Sequence, residues 1–191
     1  MAEDTRERIL TSCAAVIARS GLAKFRMIDV ARDAEVSIGL LAYHFGDRDG
    51  LLQAALDEVT ASATRRAASV SEAHTPAGQL AALLCSEFGD EPGIRAGSTA
   101  WNELRAAAVF DTDRAGAVAR STGHWQRQVE TLIAAADPER EAAAVAAAAL
   151  ALTALVEGLS GRWLTGQVTA AEAQSAVRGA LTSLELAPTT A

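Results

Sequence analysis

Helix start and stop signals recur along the whole chain, and no segment shows the strict apolar–polar alternation of a half-buried strand. Residues 4–19 place Ile9, Cys13, Val16 and Ile17 on one helical face, with acids in the first turn and Gly21 as the stop. A short helix is predicted over 27–34, then a tight turn at Glu35 and Val36. A second short helix, capped by Ser37, reaches about His44, and Asp47 caps a longer one carrying Leu51, Leu52, Ala55, Leu56 and Val59. Thr75-Pro76, Glu91-Pro92 and Asp137-Pro138 mark three further starts, because proline at the first helical position gives up an N–H that had no partner there. Thr169 and Glu172 have capping-box spacing for a last helix with Val177, Leu181 and Leu184. The reading is nine helices and no sheet, with a loose tail from Ala187.

Composition agrees and narrows the function classes. The 191 residues are 50% hydrophobic but only 4% aromatic, which suits packed alanine-rich helices more than sheets. Two cysteines, Cys13 and Cys85, exclude a disulfide framework and fit a reducing compartment. Glu3 and Asp4 stand where an export signal would be basic and then apolar. The longest uncharged apolar run, 142–156, falls short of the ~20 residues of a membrane span. A soluble cytoplasmic protein with no membrane partner is expected. The net charge of −7 argues against indiscriminate nucleic-acid binding.

The spacing from Met27 to Phe45 carries the most functional information. Val30, Ala31 and Ala34 form the inner face of one short helix, and Val36 and Leu41 that of the next. Ala31 is small where a second helix crosses closely, as helix-turn-helix geometry requires. Such a second helix presents its N-terminal residues to the DNA major groove. An ordinary helical hairpin has the same spacing.

The run from Val36 to Leu52, VSIGLLAYHFGDRDGLL, resembles the recognition helix and following helix start of the TetR family of transcriptional regulators. The likeness extends back through Arg8-Ile9-Leu10, Gly21 and Asp29-Val30-Ala31, covering about residues 4–60. It implies an all-α homodimer in which an N-terminal helix-turn-helix head is linked to a larger helical bundle for ligand binding and dimerisation. It further implies that Ser37, Ile38, Gly39, Leu40 and Tyr43 face the operator, that Tyr43 and His44 reach phosphate or a base edge, and that Arg48 holds a phosphate. Arg26, where the family has Thr or Ser, would add a charged backbone contact. Phe45 reads as core.

Three departures bear on that surface. Glu35 sits where the family turn favours glycine, and a left-handed residue there costs about 1–2 kcal/mol. Ala42 replaces a tyrosine common in the family. Residues 1–60 carry seven basic groups against ten acids, a net charge of −3. Few phosphate contacts and weak non-specific binding are therefore expected, with specificity resting on base edges.

In the remainder, Trp101, Phe110, Trp125 and Trp163 are most of the large aromatics. Such residues are core or pocket; Trp101, Glu103, Arg105, Phe110, His124, Trp125 and Gln128 are the candidate ligand-pocket set. The stretches 100–111 and 155–164 resemble the BetI-like branch of TetR bodies, whose namesake responds to choline. A quaternary ammonium would want an aromatic cage and Glu103 or Glu157 as counter-charge. The apolar run 141–156 needs cover on most sides. The resemblance pairs this helix and the last one with their copies in a dimer interface, with Leu152, Leu155, Gly158, Leu159, Val177 and Leu181 as its candidate residues.

Catalysis has little to stand on. The three histidines (His44, His74, His124) are scattered, and no phosphate loop, nucleophile elbow or Cys-x-x-Cys pair occurs. No metal and no cofactor are expected. The organisation expected is a head over 1–47, a connecting helix and linker over 48–74, and a ligand-binding and dimerisation domain over 75–191. The expected function is a ligand-responsive regulator, a repressor, that binds an inverted-repeat operator as a dimer and is released by a small molecule. The competing reading is a helical binding or assembly protein without sequence-specific DNA binding.

Overall fold

The computed structural model describes residues 2–69 and 75–188, with side chains from residue 5 onward. Residues 70–74 of the expected linker, His74 among them, lie outside the described residues. Among the described residues there are nine α-helices, a three-residue 3-10 turn at Leu22–Lys24, and no strand. The helices are α1 (Ala2–Ser20), α2 (Met27–Asp33), α3 (Ile38–Phe45), α4 (Arg48–Ala68), α5 (Pro76–Cys85), α6 (Pro92–Ala108), α7 (Thr112–Ala136), α8 (Ala142–Leu164) and α9 (Ala170–Ser183).

Caps fall where side chains can satisfy the first free amides. Ser37 Oγ accepts from Leu40 N at 3.1 Å, Asp47 Oδ1 from Gly50 N at 2.9 Å, and Thr75 Oγ1 from Gly78 N at 3.1 Å. The capping box of Thr169 and Glu172 is complete. The backbone N–H of Thr169 donates to Glu172, and the shared hydrogen bonds hold that carboxyl below its usual pKa. One start is misplaced by sequence. Asp137-Pro138 opens a turn, not a helix, and α8 begins at Ala142 after Glu141. The reason is that Asp137 is spent on Arg140 at 2.9 Å, and Arg140 in turn donates to the Leu184 carbonyl at the end of α9.

The chain packs into two compact units, and neither is a continuous stretch. The first comprises residues 1–60 and 91–121, the second residues 61–90 and 122–191. The first unit has one core, from Ile9, Leu10, Cys13, Val16 and Ile17 of α1, through Val30, Ala31 and Leu41, to Leu51, Leu52 and Leu56 of α4. Ala100 and Leu104 of α6 complete it, with Trp101 against its edge. Gly50 sits under the end of α3, where a Cβ would lie 2.2 Å from the Phe45 carbonyl oxygen, so no other residue fits there.

In the second unit α9 packs on both α5 and α8. Phe88 and Trp163 meet edge to face at 5.9 Å, and Gln174 donates to the Cys85 and Phe88 carbonyls. The 15-residue apolar run belongs to a 23-residue helix, α8, which is long and apolar enough to cross a membrane by length and composition alone. Only 33% of its most apolar window is buried within the protomer. Ala143, Ala147, Leu150, Ala151, Ala154 and Gly158 follow one another along its exposed side at helical spacing.

Candidate nucleic-acid interface and effector pocket

The turn between α2 and α3 is built from Ala34, Glu35 and Val36. Arg8 Nε donates to the Ala34 carbonyl at 3.0 Å, closing the end of α2. Glu35 is left-handed, with φ of 54°, and Val36 N returns to the Ala31 carbonyl at 2.9 Å. Packing against Val30, Ala31 and Ala34 buries Leu41 completely. That fixes which side of α3 turns outward.

The outward side is apolar and unpaired with the rest of its unit. Ile38 is 45%, Leu40 37% and Tyr43 83% exposed, although each would gain by burial. Ser37 is exposed as well, with its hydroxyl committed to the cap. A Cβ on Gly39 would meet nothing nearer than Ser37 Oγ at 3.9 Å, so internal packing does not require glycine there. His44 is half-buried between its neighbours, 5.4 Å edge-on from Tyr43 and 6.0 Å from Phe45. Arg26 is exposed and paired with Asp29 at 2.9 Å. Ile28, exposed beside it, was not singled out by sequence; its signal is an isoleucine out of phase with the buried Val30 and Ala31.

Arg48 is less free than a bare phosphate contact. Its guanidinium lies over the Phe25 ring, 5.5 Å from the centroid, and Nη2 donates to the Leu22 carbonyl at 3.4 Å. Leu22 is held from its other side too, since its N–H donates to Glu103 Oε2 at 2.8 Å. Glu103 therefore has a structural partner in the first unit, where sequence cast it as a free counter-charge for a ligand.

The candidate pocket residues divide between the two units. Trp101, Glu103, Arg105 and Phe110 belong to the first; His124, Trp125 and Gln128 belong to the second. Phe110 is 91% exposed at the end of α6, on the surface of its unit rather than inside a cavity. His124 is exposed, and Gln128 bonds Thr64 at 3.0 Å. Trp125 is buried, and its Nε1–H finds no hydrogen-bond partner among the described residues. Of the candidate dimer residues, Leu152, Val177 and Leu181 are buried inside their own protomer, Leu155 and Leu159 are half-buried, and Gly158 is exposed. Cys13 is sealed in the first core, and burial pushes its thiol up to about 12. Burial also raises the Cys85 thiol. At both cysteines burial disfavours the thiolate, the nucleophilic form.

Residues 9–55 match the family model of bacterial regulatory proteins of the tetR family, and residues 76–185 match that of the C-terminal part of BetI-type transcriptional repressors. The chain belongs to the TetR family of transcriptional regulators. A BetI regulator from Burkholderia mallei is 34% identical over 94 residues, so this TetR-family chain spans about half the length of that relative. A BetI regulator from Paraburkholderia phytofirmans is 28% identical over 181 residues, covering 87% of this chain and 83% of the relative. A crystal structure of a Rhodococcus sp. protein assigned to the TetR family superposes with a TM-score of 0.87 at 36% identity, covering 95% of this chain and 98% of that one. A transcriptional regulator from Saccharomonospora viridis, solved with choline, shares the fold at a TM-score of 0.72 and 20% identity, over 94% and 95% of the two chains. The relatives that the chain matches in this family are regulators of transcription.

Proposed function

We propose that this regulator is a dimeric repressor that reads an inverted-repeat operator and is released by a small-molecule effector in the cytoplasm. The observation that carries the DNA reading is the outward side of α3. Ile38, Leu40 and Tyr43 are exposed there while Leu41 is wholly buried, and Gly39 leaves room that nothing in the protomer uses. A closely approaching duplex gives both the exposed apolar side chains and the glycine a purpose: apolar contact with thymine methyl groups and backbone proximity to the groove. Ser37, His44, Arg26 and Arg48 complete the set; a phosphate would take the Nη1 side of the Arg48 guanidinium, which otherwise stands 3.8 Å from the exposed Asp49 carboxylate.

The division of labour we propose keeps the DNA-reading head at 1–47, the connecting segment at 48–74 and the effector and dimer functions at 75–191. The exposed alanine and leucine side of α8, with exposed Ala171, Ser175 and Gly179 on α9, supports pairing with a second copy. A Cβ on Gly158 or Gly179 would meet open space, room that a partner helix can fill. The unsatisfied indole N–H of Trp125 favours an effector that brings a hydrogen-bond acceptor. Release would follow from a change in the separation of the two recognition helices, since half-sites ~34–36 Å apart tolerate little mismatch.

The test is selection from a random duplex pool by the purified protein, with an Arg48→Ala, Tyr43→Ala double variant alongside. An enriched inverted repeat that the variant loses is the expected result. No enrichment from a folded dimer would favour the assembly reading, which the net charge of −3 over residues 1–60 keeps in play.

A further inference from the structure

A second charged feature of the first unit lies off the recognition helix. An open surface groove of about 400 Å³ lies between the end of α1 and α2, and its charged lining is Arg19, Lys24, Arg26 and Arg32 against Asp29 and Asp33. Three of the four cations are already paired. Arg19 meets Asp33 at 3.1 Å, and Asp29 takes Arg26 at 2.9 Å and Arg32 at 3.5 Å. The pairs are lopsided. The arginines are 62%, 73% and 77% exposed, whereas Asp29 and Asp33 are only 23% and 31% exposed. The carboxylates are the more buried partners, and the guanidinium groups are the ones that reach into solvent.

We propose that this groove is a seat for the phosphodiester backbone of duplex DNA, and that Asp29 and Asp33 hold it in check by occupying its arginines. The inference rests on the DNA-reading function above. Four cations spread over α1, the 3-10 turn and α2 suit a row of phosphates better than a single anion. Exposed ion pairs are weak and easily exchanged, whereas an arginine on phosphate makes charge-assisted, often bidentate bonds and releases counterions. A phosphate within reach therefore displaces the carboxylate. One out of register meets Asp29 and Asp33 instead and is repelled. The pairing thus lowers sequence-independent binding more than operator binding, so the aspartates add to specificity without touching a base.

The experiment uses full-length protein with Asp29→Asn and Asp33→Asn together, checked for folding by thermal melting. Affinity for a random duplex and for the selected operator is measured by fluorescence anisotropy across a salt series. We expect random-duplex affinity to rise about tenfold at 0.1 M salt and the salt dependence to steepen by about one to two per protomer. The ratio of operator to random affinity should fall. Adding Arg26→Ala and Arg32→Ala should return random binding to its original level or below. If the wild type selects an operator but the folded aspartate variant shows unchanged salt dependence, the groove proposal fails and the recognition-helix reading survives. If no operator is selected yet the aspartate variant gains random-duplex binding that the arginine changes remove, the groove stands and sequence reading fails. Binding by neither protein overturns both.

Discussion

At the scale of single residues, the clearest compromise is Glu35. The turn into α3 needs a left-handed backbone, and Glu35 supplies it at φ 54° without glycine's freedom. Glu35→Gly should relieve about 1–2 kcal/mol of local strain and give back about 0.4–1 kcal/mol through the more flexible unfolded chain. A net gain of about 0.5–1 kcal/mol is expected in denaturant melts. A loss would mean that the Glu35 side chain contributes more than its backbone costs. The same residue marks what was legible in sequence. The Ser37 cap and the buried Leu41 are local features whose causes lie within a few positions, and both are legible in the sequence. Arg48 over Phe25 and Glu103 on Leu22 are not, because their partners stand 23 and 81 residues away and no periodic pattern encodes such a pairing.

At the scale of elements, α6 carries the main lesson. Its sequence looks like part of the body, yet it packs along α1, and its Ala100 and Leu104 finish the core that supports the helix-turn-helix. Periodicity reveals that a helix has an apolar side; it does not reveal which neighbour covers that side. The end of α5 offers a test by pH. Glu87 is half-buried there, and burial lifts its carboxyl to about 7 against the pull of Arg66. A raised pKa means that the folded state holds the proton longer than the unfolded chain. Its contribution is fully present below pH 4.5 and is lost as pH climbs toward 7. Glu87→Gln should flatten the fall in stability over that window, read from melts between pH 4.5 and 7.5. An unchanged profile would place the titration elsewhere.

At the scale of the whole molecule, the proposed pairing of two copies rests on the exposed side of α8. Leu150 is 59% exposed at the middle of that stripe. Leu150→Glu would place a charge in the paired interface, where it costs far more than in water. Light scattering at micromolar concentration should then report a monomer. Operator affinity should fall by about two orders of magnitude, since two half-sites would no longer be filled by one tethered pair. A wild type that already scatters as a monomer would sink the paired arrangement. The double hold on Leu22 has a further consequence. Its amide sits in a three-residue turn, where protons ordinarily exchange quickly with solvent. Because that amide donates to a carboxylate on α6 while its carbonyl receives Arg48, hydrogen–deuterium exchange at this one position should be slow, and should quicken whenever α6 lets go. Leu22 would act as a built-in timekeeper for the connection between the helix that finishes the head's core and the arginine that opens α4.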